Sequence, residues 1–154
     1  MSGNPPARWT RRFGPGSRLS PRIYGSPLFE YLDGHAADAA VFNAAMSSSP
    51  GYVDSIVAVY DFSNFKRVVD VGGGHGLLLA GILSANPRLQ GVLQDLPSVV
   101  TGASALRREP LSERCEIIGG SFFEDVPARG DAYILKGIIH DWDDGSRRAG
   151  LAAW

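Results

Sequence analysis

The sequence has little of what marks a secreted, membrane-bound or strongly charged protein. One cysteine, Cys115, among 154 residues excludes an internal disulfide. No apolar run reaches the ~20 residues that a membrane-spanning helix needs, and no apolar signal-peptide segment is present at the amino terminus. The formal net charge is −1, so nothing favours nucleic acid or an anionic membrane as a partner. We therefore predict a cytoplasmic protein with neither partner, and no metal site is predicted.

Residues 1–27 differ in composition from the rest of the chain. Five arginines occur among prolines and glycines, and no acidic residue precedes Glu30. Because prolines and glycines prevent a continuous amphipathic helix, a disordered tail is favoured over a targeting peptide or a nucleic-acid-binding arm. We predict a disordered basic tail at 1–27 and a folded domain at 28–154.

The rest of the chain alternates between helical and strand patterns. Small apolar residues recur at helical spacing over residues 36–46, and a second helix is predicted from Pro50. A third helix is predicted at 77–85, and a short one capped by Ser98 runs toward Leu106. The strands are predicted at residues 68–71, 91–95, 115–118 and 132–135. This alternation predicts an α/β fold with a parallel sheet that is preceded by short helices.

A glycine cluster follows the first predicted strand and opens the next helix. Asp70 lies in that otherwise apolar strand, and Gly72, Gly74 and Gly76 follow at alternate positions. A strand, a tight turn and a helix N-terminus in this order form the place where a nucleoside-bearing cofactor meets a parallel sheet. The spacing D-x-G-x-G-x-G differs from the G-x-G-x-x-G of dinucleotide sites. It resembles the first motif of S-adenosylmethionine-dependent methyltransferases.

Other polar residues also follow strand ends. Asp95 ends the second predicted strand, and Ser121 and Lys136 follow the third and the fourth. Ligands of open α/β sheets bind outside the carboxyl ends of the strands. Asp95 is suited to accept hydrogen bonds from ribose hydroxyls, with a solvated turn aspartate as the alternative. Asp70 needs a polar partner inside a buried strand, either the backbone N–H groups of the loop or the ammonium group of a ligand.

His140 lies beyond the fourth predicted strand and suits proton transfer. A hydroxyl that attacks a sulfonium methyl must lose its proton, and histidine is the usual general base near neutral pH. Because an imidazole of pKa ~6.5 faces a phenol near ~10, complete prior transfer would cost about 5 kcal/mol. Concerted transfer or an orienting carboxylate would ease this, but the adjacent Asp141 would point away on a helix. Trp142 is either a ligand wall or a core anchor.

Five segments, in order, resemble the O-methyltransferases of the plant caffeate and flavonoid type and of the bacterial hydroxyneurosporene and antibiotic-pathway type. They are Phe42–Met46, Val69–Gly76, Gln94–Pro97, Gly119–Phe123 and Leu135–Trp142. The resemblance implies a Rossmann-like methyltransferase fold and S-adenosyl-L-methionine as the cofactor. It also implies methyl transfer to a hydroxyl of a small aromatic or polyketide-like molecule, with His140 as the catalytic base.

The resemblance further implies which residues bind ligands. The cofactor site would consist of the glycine loop, the two strand-end acids and the residues after the later strands: Asp70, Gly72, Gly73, Gly74, Gly76, Asp95, Leu96, Ser121, Phe122 and Lys136. Met46 and Trp142 are the candidate acceptor contacts. Ser121 stands where plant members usually have an aspartate, which replaces a charge-assisted hydrogen bond near the adenine by a weaker neutral one.

The resemblance covers only part of a family member. Members carry an N-terminal helical domain through which they homodimerise, and they continue with further strands, whereas this sequence has the basic tail and ends at Trp154. We therefore expect a sheet that is incomplete at its C-terminus and a partial methyltransferase domain without the dimerisation domain. The alternative function is a catalytically inactive chain that at most binds S-adenosylmethionine. An NAD-dependent oxidoreductase is disfavoured by the loop spacing.

Overall fold

The computed structural model describes residues 31–32, 34–47 and 50–138, with only the backbone of residues 44–47 and 50. Two helices come first, α1 (Ala36–Ser47) and α2 (Pro50–Val59). Both were predicted from helical spacing, and Pro50 stands at the first position of α2, where its fixed φ suits a helix. The predicted tail lies outside the described residues.

A four-stranded parallel sheet follows, with the strand order β3-β2-β1-β4. Its strands are β1 (Arg67–Val71), β2 (Gln90–Asp95), β3 (Cys115–Gly119) and β4 (Ala132–Ile134). The connections contain α3 (Leu77–Ala85), α4 (Pro97–Val100) and a 3₁₀ turn (Leu111–Glu113). The chain adds strands on one side of β1 and then returns to its other side. This reversal beside β1 is the topological switch point where open α/β sheets bind ligands, and the predicted parallel α/β fold is confirmed.

The sheet is covered on both faces among the described residues. One face carries Val68 and Leu93 and packs against α3, and the other carries Val69, Val71 and Val92. Successive residues of a strand point to opposite faces, so a strand buried on both faces is apolar almost throughout. This explains why the strand segments could be recognised as apolar runs.

The packing of α2 on α3 depends on a glycine. A Cβ on Gly81 of α3 would collide with Cγ1 of Val53 on α2, and Val57 also lies next to this position. The bare backbone at Gly81 therefore lets α2 approach α3 closely and fixes the start of α2 beside the sheet.

Among the described residues, no helix combines the length and the apolar character needed to cross a bilayer.

The prediction of a helix capped by Ser98 is wrong. Helix α4 begins at Pro97, with Leu96 in the N-cap position and without a side-chain cap, and it ends at Val100. Proline is favoured at the first helical position because its φ is already helical and its missing N–H would have no partner there. The chain then continues in turns, so no helix reaches Leu106.

Candidate functional site

The glycine loop between β1 and α3 is a tight turn held by β2. Gly72, Gly74 and Gly76 have φ of +65°, +62° and +72°, values that residues with a Cβ rarely adopt. The backbone oxygen of Gln94 accepts hydrogen bonds from the N–H groups of Gly72 (2.7 Å) and Gly73 (3.3 Å). A Cβ on Gly74 would have no atom within 4 Å. The loop therefore presents bare backbone to open space at Gly74.

Asp95 braces this loop from the end of β2. Its Oδ2 accepts from the N–H of Gly74 (2.7 Å) and its Oδ1 from that of Leu96 (2.7 Å). Burial raises the pKa of Asp95, while these two donors and the nearby His75 lower it. Asp95 is thus half-buried and bonded at both oxygens, unlike a solvated turn aspartate. Its predicted contact with a ribose stays a prediction.

Asp70 is buried beneath the loop. Its exposure is 1%, and its Oδ2 has no hydrogen-bond partner among the described residues. The same carboxylate lies 2.5 Å from the position that a Cβ would take on Gly73. Burial, reinforced by the charge of Asp95, raises the pKa of Asp70 to about 7, although Lys136 lowers it. The two partners predicted for Asp70 are the N–H groups of the loop and the ammonium group of a ligand. The N–H groups of Gly72 and Gly73 donate to Gln94 instead, and that of Gly74 donates to Asp95.

Gln94 joins two loops of the site and was not predicted as a site residue. Its backbone holds the glycine loop, and its side-chain Nε2 donates to the carbonyl of Asp125 in the loop after β3 (2.6 Å). The side chain is 3% exposed. A polar residue directly after Val92 and Leu93 is the same signal that pointed to Asp70, so the sequence contained enough information to find it.

The loop after β3 returns toward the glycine loop. Ser121 opens a turn in which its carbonyl accepts from the N–H of Glu124 (2.9 Å) and of Asp125 (3.2 Å). Phe122 Cε1 lies 3.8 Å from the Cβ position of Gly72. Phe122 also packs against the cluster of Val69, Val71 and Val92. The loop after β3 therefore contacts β1, as expected when the carboxyl ends of parallel strands meet at one edge.

Lys136 follows β4 and contacts a residue that the sequence did not single out. Its Nζ lies 4.5 Å above the centroid of the Tyr52 ring, at the start of α2. Burial and then the charge of Asp70 raise the pKa of the Tyr52 phenol, so this ring is within electrostatic range of that carboxylate. Tyr52 packs against the core together with Val53 and Ile56 of α2. From the sequence it therefore looks like an ordinary core aromatic residue.

The structure thus brings the predicted residues of the cofactor site to one edge of the sheet. Hydrogen bonds connect the glycine loop with the end of β2 through Asp95 and Gln94, and Phe122 lies beside Gly72. The N–H of Leu96 donates to Asp95. For Met46 only the backbone is described, within α1. His140 and Trp142 lie outside the described residues, so the predicted base and acceptor contacts stay predictions.

The family follows from a sequence comparison. Residues 9–152 match the model of the O-methyltransferase domain. The chain belongs to the O-methyltransferase family. Its relatives include the phenazine O-methyltransferase of Lysobacter antibioticus, which is 43% identical over 123 residues. That match covers 79% of this chain and 36% of the Lysobacter enzyme, so this chain spans just over a third of that relative.

Solved structures of the family have the same fold. The mitomycin 7-O-methyltransferase MmcR superposes with a TM-score of 0.80 at 36% identity, covering 85% of this chain and 39% of MmcR. An O-methyltransferase from neocarzinostatin biosynthesis superposes with a TM-score of 0.78 at 36% identity, covering 86% of this chain and 42% of that one. The latter was crystallised with S-adenosylmethionine and 2-hydroxy-5-methyl naphthoic acid. The predicted Rossmann-like methyltransferase fold is confirmed, whereas the domain division at residue 27 stays a prediction.

Proposed function

We propose that this chain binds S-adenosylmethionine at the glycine loop and that the protein methylates a hydroxyl of a small aromatic or polyketide-like acceptor. The observation that carries the proposal is the buried Asp70, whose Oδ2 lies without a hydrogen-bond partner beneath a loop of bare backbone. A buried anion of this kind is costly unless a cation or a donor reaches it. The D-x-G-x-G-x-G spacing and the family membership indicate which cation-bearing ligand that is.

The residues at the edge of the sheet fit this cofactor. Gly74 leaves room for a ligand against the backbone, and the carboxylate of Asp95 has lone pairs left after its two backbone donors to accept from ribose hydroxyls. Asp70 would balance the charge of the ammonium group. Ser121 and Phe122 would line the adenine side of the site. Lys136, which follows β4, would donate a hydrogen bond to the cofactor. When bound, the cofactor supplies a methyl group on a sulfonium sulfur.

His140 is the proposed general base. The proton leaves the acceptor hydroxyl as its oxygen becomes the nucleophile, and a neutral imidazole takes that proton at a ring nitrogen. We place His140 in this role because it follows the fourth strand in the segment Leu135–Trp142, which resembles the family. Met46 and Trp142 are the proposed contacts to the acceptor.

The cofactor site is tested by calorimetric titration of the whole chain with S-adenosylhomocysteine. We expect one saturable site and, for Asp95→Ala, a Kd about tenfold to a hundredfold higher, because a half-buried charge-assisted acceptor and its hydrogen bond from Gly74 are lost. Asp54→Ala, at an exposed position on α2, is the matched control and should leave the Kd unchanged. Equal affinity of the wild type and Asp95→Ala would contradict the proposed site.

Methyl transfer is tested separately with labelled S-adenosylmethionine and a panel of phenols, catechols and hydroxylated polyketides. A methylated product that His140→Ala no longer forms, at unchanged affinity for S-adenosylhomocysteine, would support His140 as the base. Binding without any product across the panel would favour a chain that only binds the cofactor. Full activity of His140→Ala would remove His140 from the mechanism.

A further inference from the structure

Lys136 and Tyr52 form a contact between two parts of the chain that are far apart in the sequence. The ammonium group of Lys136 lies 4.5 Å from the ring centroid of Tyr52, within the range of a cation–π interaction. Lys136 is itself exposed, while Tyr52 is half-buried and packs against the core below α2. The packed ring of Tyr52 therefore determines where the flexible side chain of Lys136 lies.

The position of Tyr52 is set by the packing of α2. Val53, the next residue, packs against the bare backbone of Gly81 on α3, and Val57 lies one turn further along the same contact. Helix α3 begins directly at the glycine loop. Tyr52 is therefore held rigidly relative to that loop, and it holds Lys136 at the same edge of the sheet.

Lys136 also interacts with the opposite charge of Asp70. The charge of Lys136 lowers the pKa of the buried Asp70, so the two groups interact electrostatically. They do not form an ion pair, since within the described part of the chain the ion pair found is that between Arg67 and Glu116. A lysine on four rotatable bonds near an unpaired buried carboxylate would be drawn toward it, and the ring of Tyr52 provides a competing position.

We propose that Tyr52 is a positioning residue, which holds the Lys136 ammonium on its ring and away from Asp70 so that both charges remain available to the cofactor. The inference rests on the cofactor site proposed above. Without the ring, Lys136 would pair with Asp70, and a ligand with a carboxylate and an ammonium group would first have to separate that pair. Tyr52 thereby contributes to cofactor affinity through Lys136.

A double-mutant cycle on the full chain tests this coupling, with the Kd for S-adenosylhomocysteine as the readout. Tyr52→Phe keeps the ring and should bind within about twofold of the wild type, whereas Tyr52→Leu should bind about threefold to tenfold more weakly. In the Lys136→Met background, Tyr52→Leu should cause no further loss. A loss of equal size in both backgrounds would mean that Tyr52 acts independently of Lys136 and would overturn the inference.

A second measurement avoids any loss of packing. Phenylalanine with increasing ring fluorination at position 52 keeps the shape of the ring but weakens its attraction for a cation, so the Kd should rise stepwise with each fluorine. The same series at Tyr60, an exposed ring just after α2, is the control and should give a constant Kd. A constant Kd at position 52 would overturn the inference. If folded wild-type protein binds no S-adenosylhomocysteine, the cofactor site fails and the inference with it.

Discussion

Asp70 combines burial, a carboxylate oxygen without a partner and a raised pKa, and these three properties have one cause. Water is excluded from the end of β1 by the glycine loop above and the core below, so the charged form of the carboxylate loses its solvation. The folded protein therefore favours the protonated form more strongly than the unfolded chain does. A buried carboxylate of this kind lowers the stability of the folded protein when no ligand is bound, and a cationic ligand offsets that loss.

This argument predicts how stability depends on pH. The pKa of Asp70 rises from 3.8 to about 7 on folding, so the folded state binds more protons between these values and stability falls as the pH rises from about 4 to about 7. At roughly 1.4 kcal/mol per unit, the loss is of the order of 4 kcal/mol above pH 7. Asp70→Asn mimics the protonated carboxyl and should remove this loss of stability.

We therefore expect Asp70→Asn to raise the free energy of unfolding at pH 8 by several kcal/mol but at pH 5 by only about 1–2 kcal/mol, because the loss builds up between about pH 4 and pH 7 and is still small at pH 5. Urea denaturation at both pH values measures the difference. Asp54→Asn, on the exposed side of α2, is the control and should show no such pH dependence. An equal effect of Asp70→Asn at both pH values would contradict the raised pKa.

At the scale of single residues, the sequence shows which positions are unexpectedly polar but not which groups they bond to. Asp70 stands out because it interrupts an apolar strand, and Gln94 interrupts another in the same way. Which donors reach them depends on the register of β1 and β2, where Val71 lies opposite Gln94. Tyr52 could not be distinguished from a core aromatic, since its contact with Lys136 joins distant parts of the chain.

At the scale of the elements, the turn between β1 and α3 separates two demands on glycine. Gly74 and Gly76 share a positive φ, but a Cβ on Gly74 would extend into open space whereas one on Gly76 would collide with Leu106. Gly74 thus borders the proposed ligand, and Gly76 packs on the core. The sequence pattern predicts a glycine at both positions and does not distinguish these reasons.

Substitution by alanine should reveal the difference. Gly74→Ala should lower the free energy of unfolding by only the cost of the backbone conformation, about 1–2 kcal/mol, and should strongly weaken binding of S-adenosylhomocysteine. Gly76→Ala should cost about 1–3 kcal/mol more because of overpacking against Leu106. Denaturant unfolding and calorimetric titration of both variants give the two quantities. The pair serves as its own control, and equal destabilisation by both would contradict the packing described for Gly76.

The same scale explains the one incorrect element. The side chain of Ser98 was expected to cap a helix, but Pro97 before it occupies the first helical position, where proline is favoured. The longer helix α3 was predicted with correct bounds because its nine mostly apolar residues exceed the length of any strand of this sheet and end before Asn86 and Pro87. A helix of four residues has no periodicity to read, so its start depends on one residue.

At the scale of the whole molecule, the predicted topology follows from the connections. Parallel strands have all their carboxyl ends at one edge of the sheet, so the positions of Asp95, Ser121 and Lys136 could be inferred together. The order β3-β2-β1-β4 is not contained in the strand segments themselves. It follows from packing, which also determines that β1 lies between β2 and β4.

This arrangement predicts an uneven distribution of stability. Strand β1 is paired on both sides and buried over Val68–Val71, whereas α1 packs only lightly against the other described elements and leaves Val41 71% exposed. Amide hydrogens in β1 should therefore exchange only on global unfolding, while those of α1 should exchange through local opening and orders of magnitude faster.

Hydrogen exchange followed by mass spectrometry measures both elements in one experiment, and repeating it over a range of protein concentrations tests for self-association. Exchange of α1 that is fast and independent of concentration would agree with a helix that the sheet does not stabilise. Protection of α1 equal to that of β1 at every concentration would contradict the light packing. Protection that rises with concentration would instead mean that a second copy of the chain covers the apolar surface around Val41, because association then supplies the contacts that α1 lacks within the described structure.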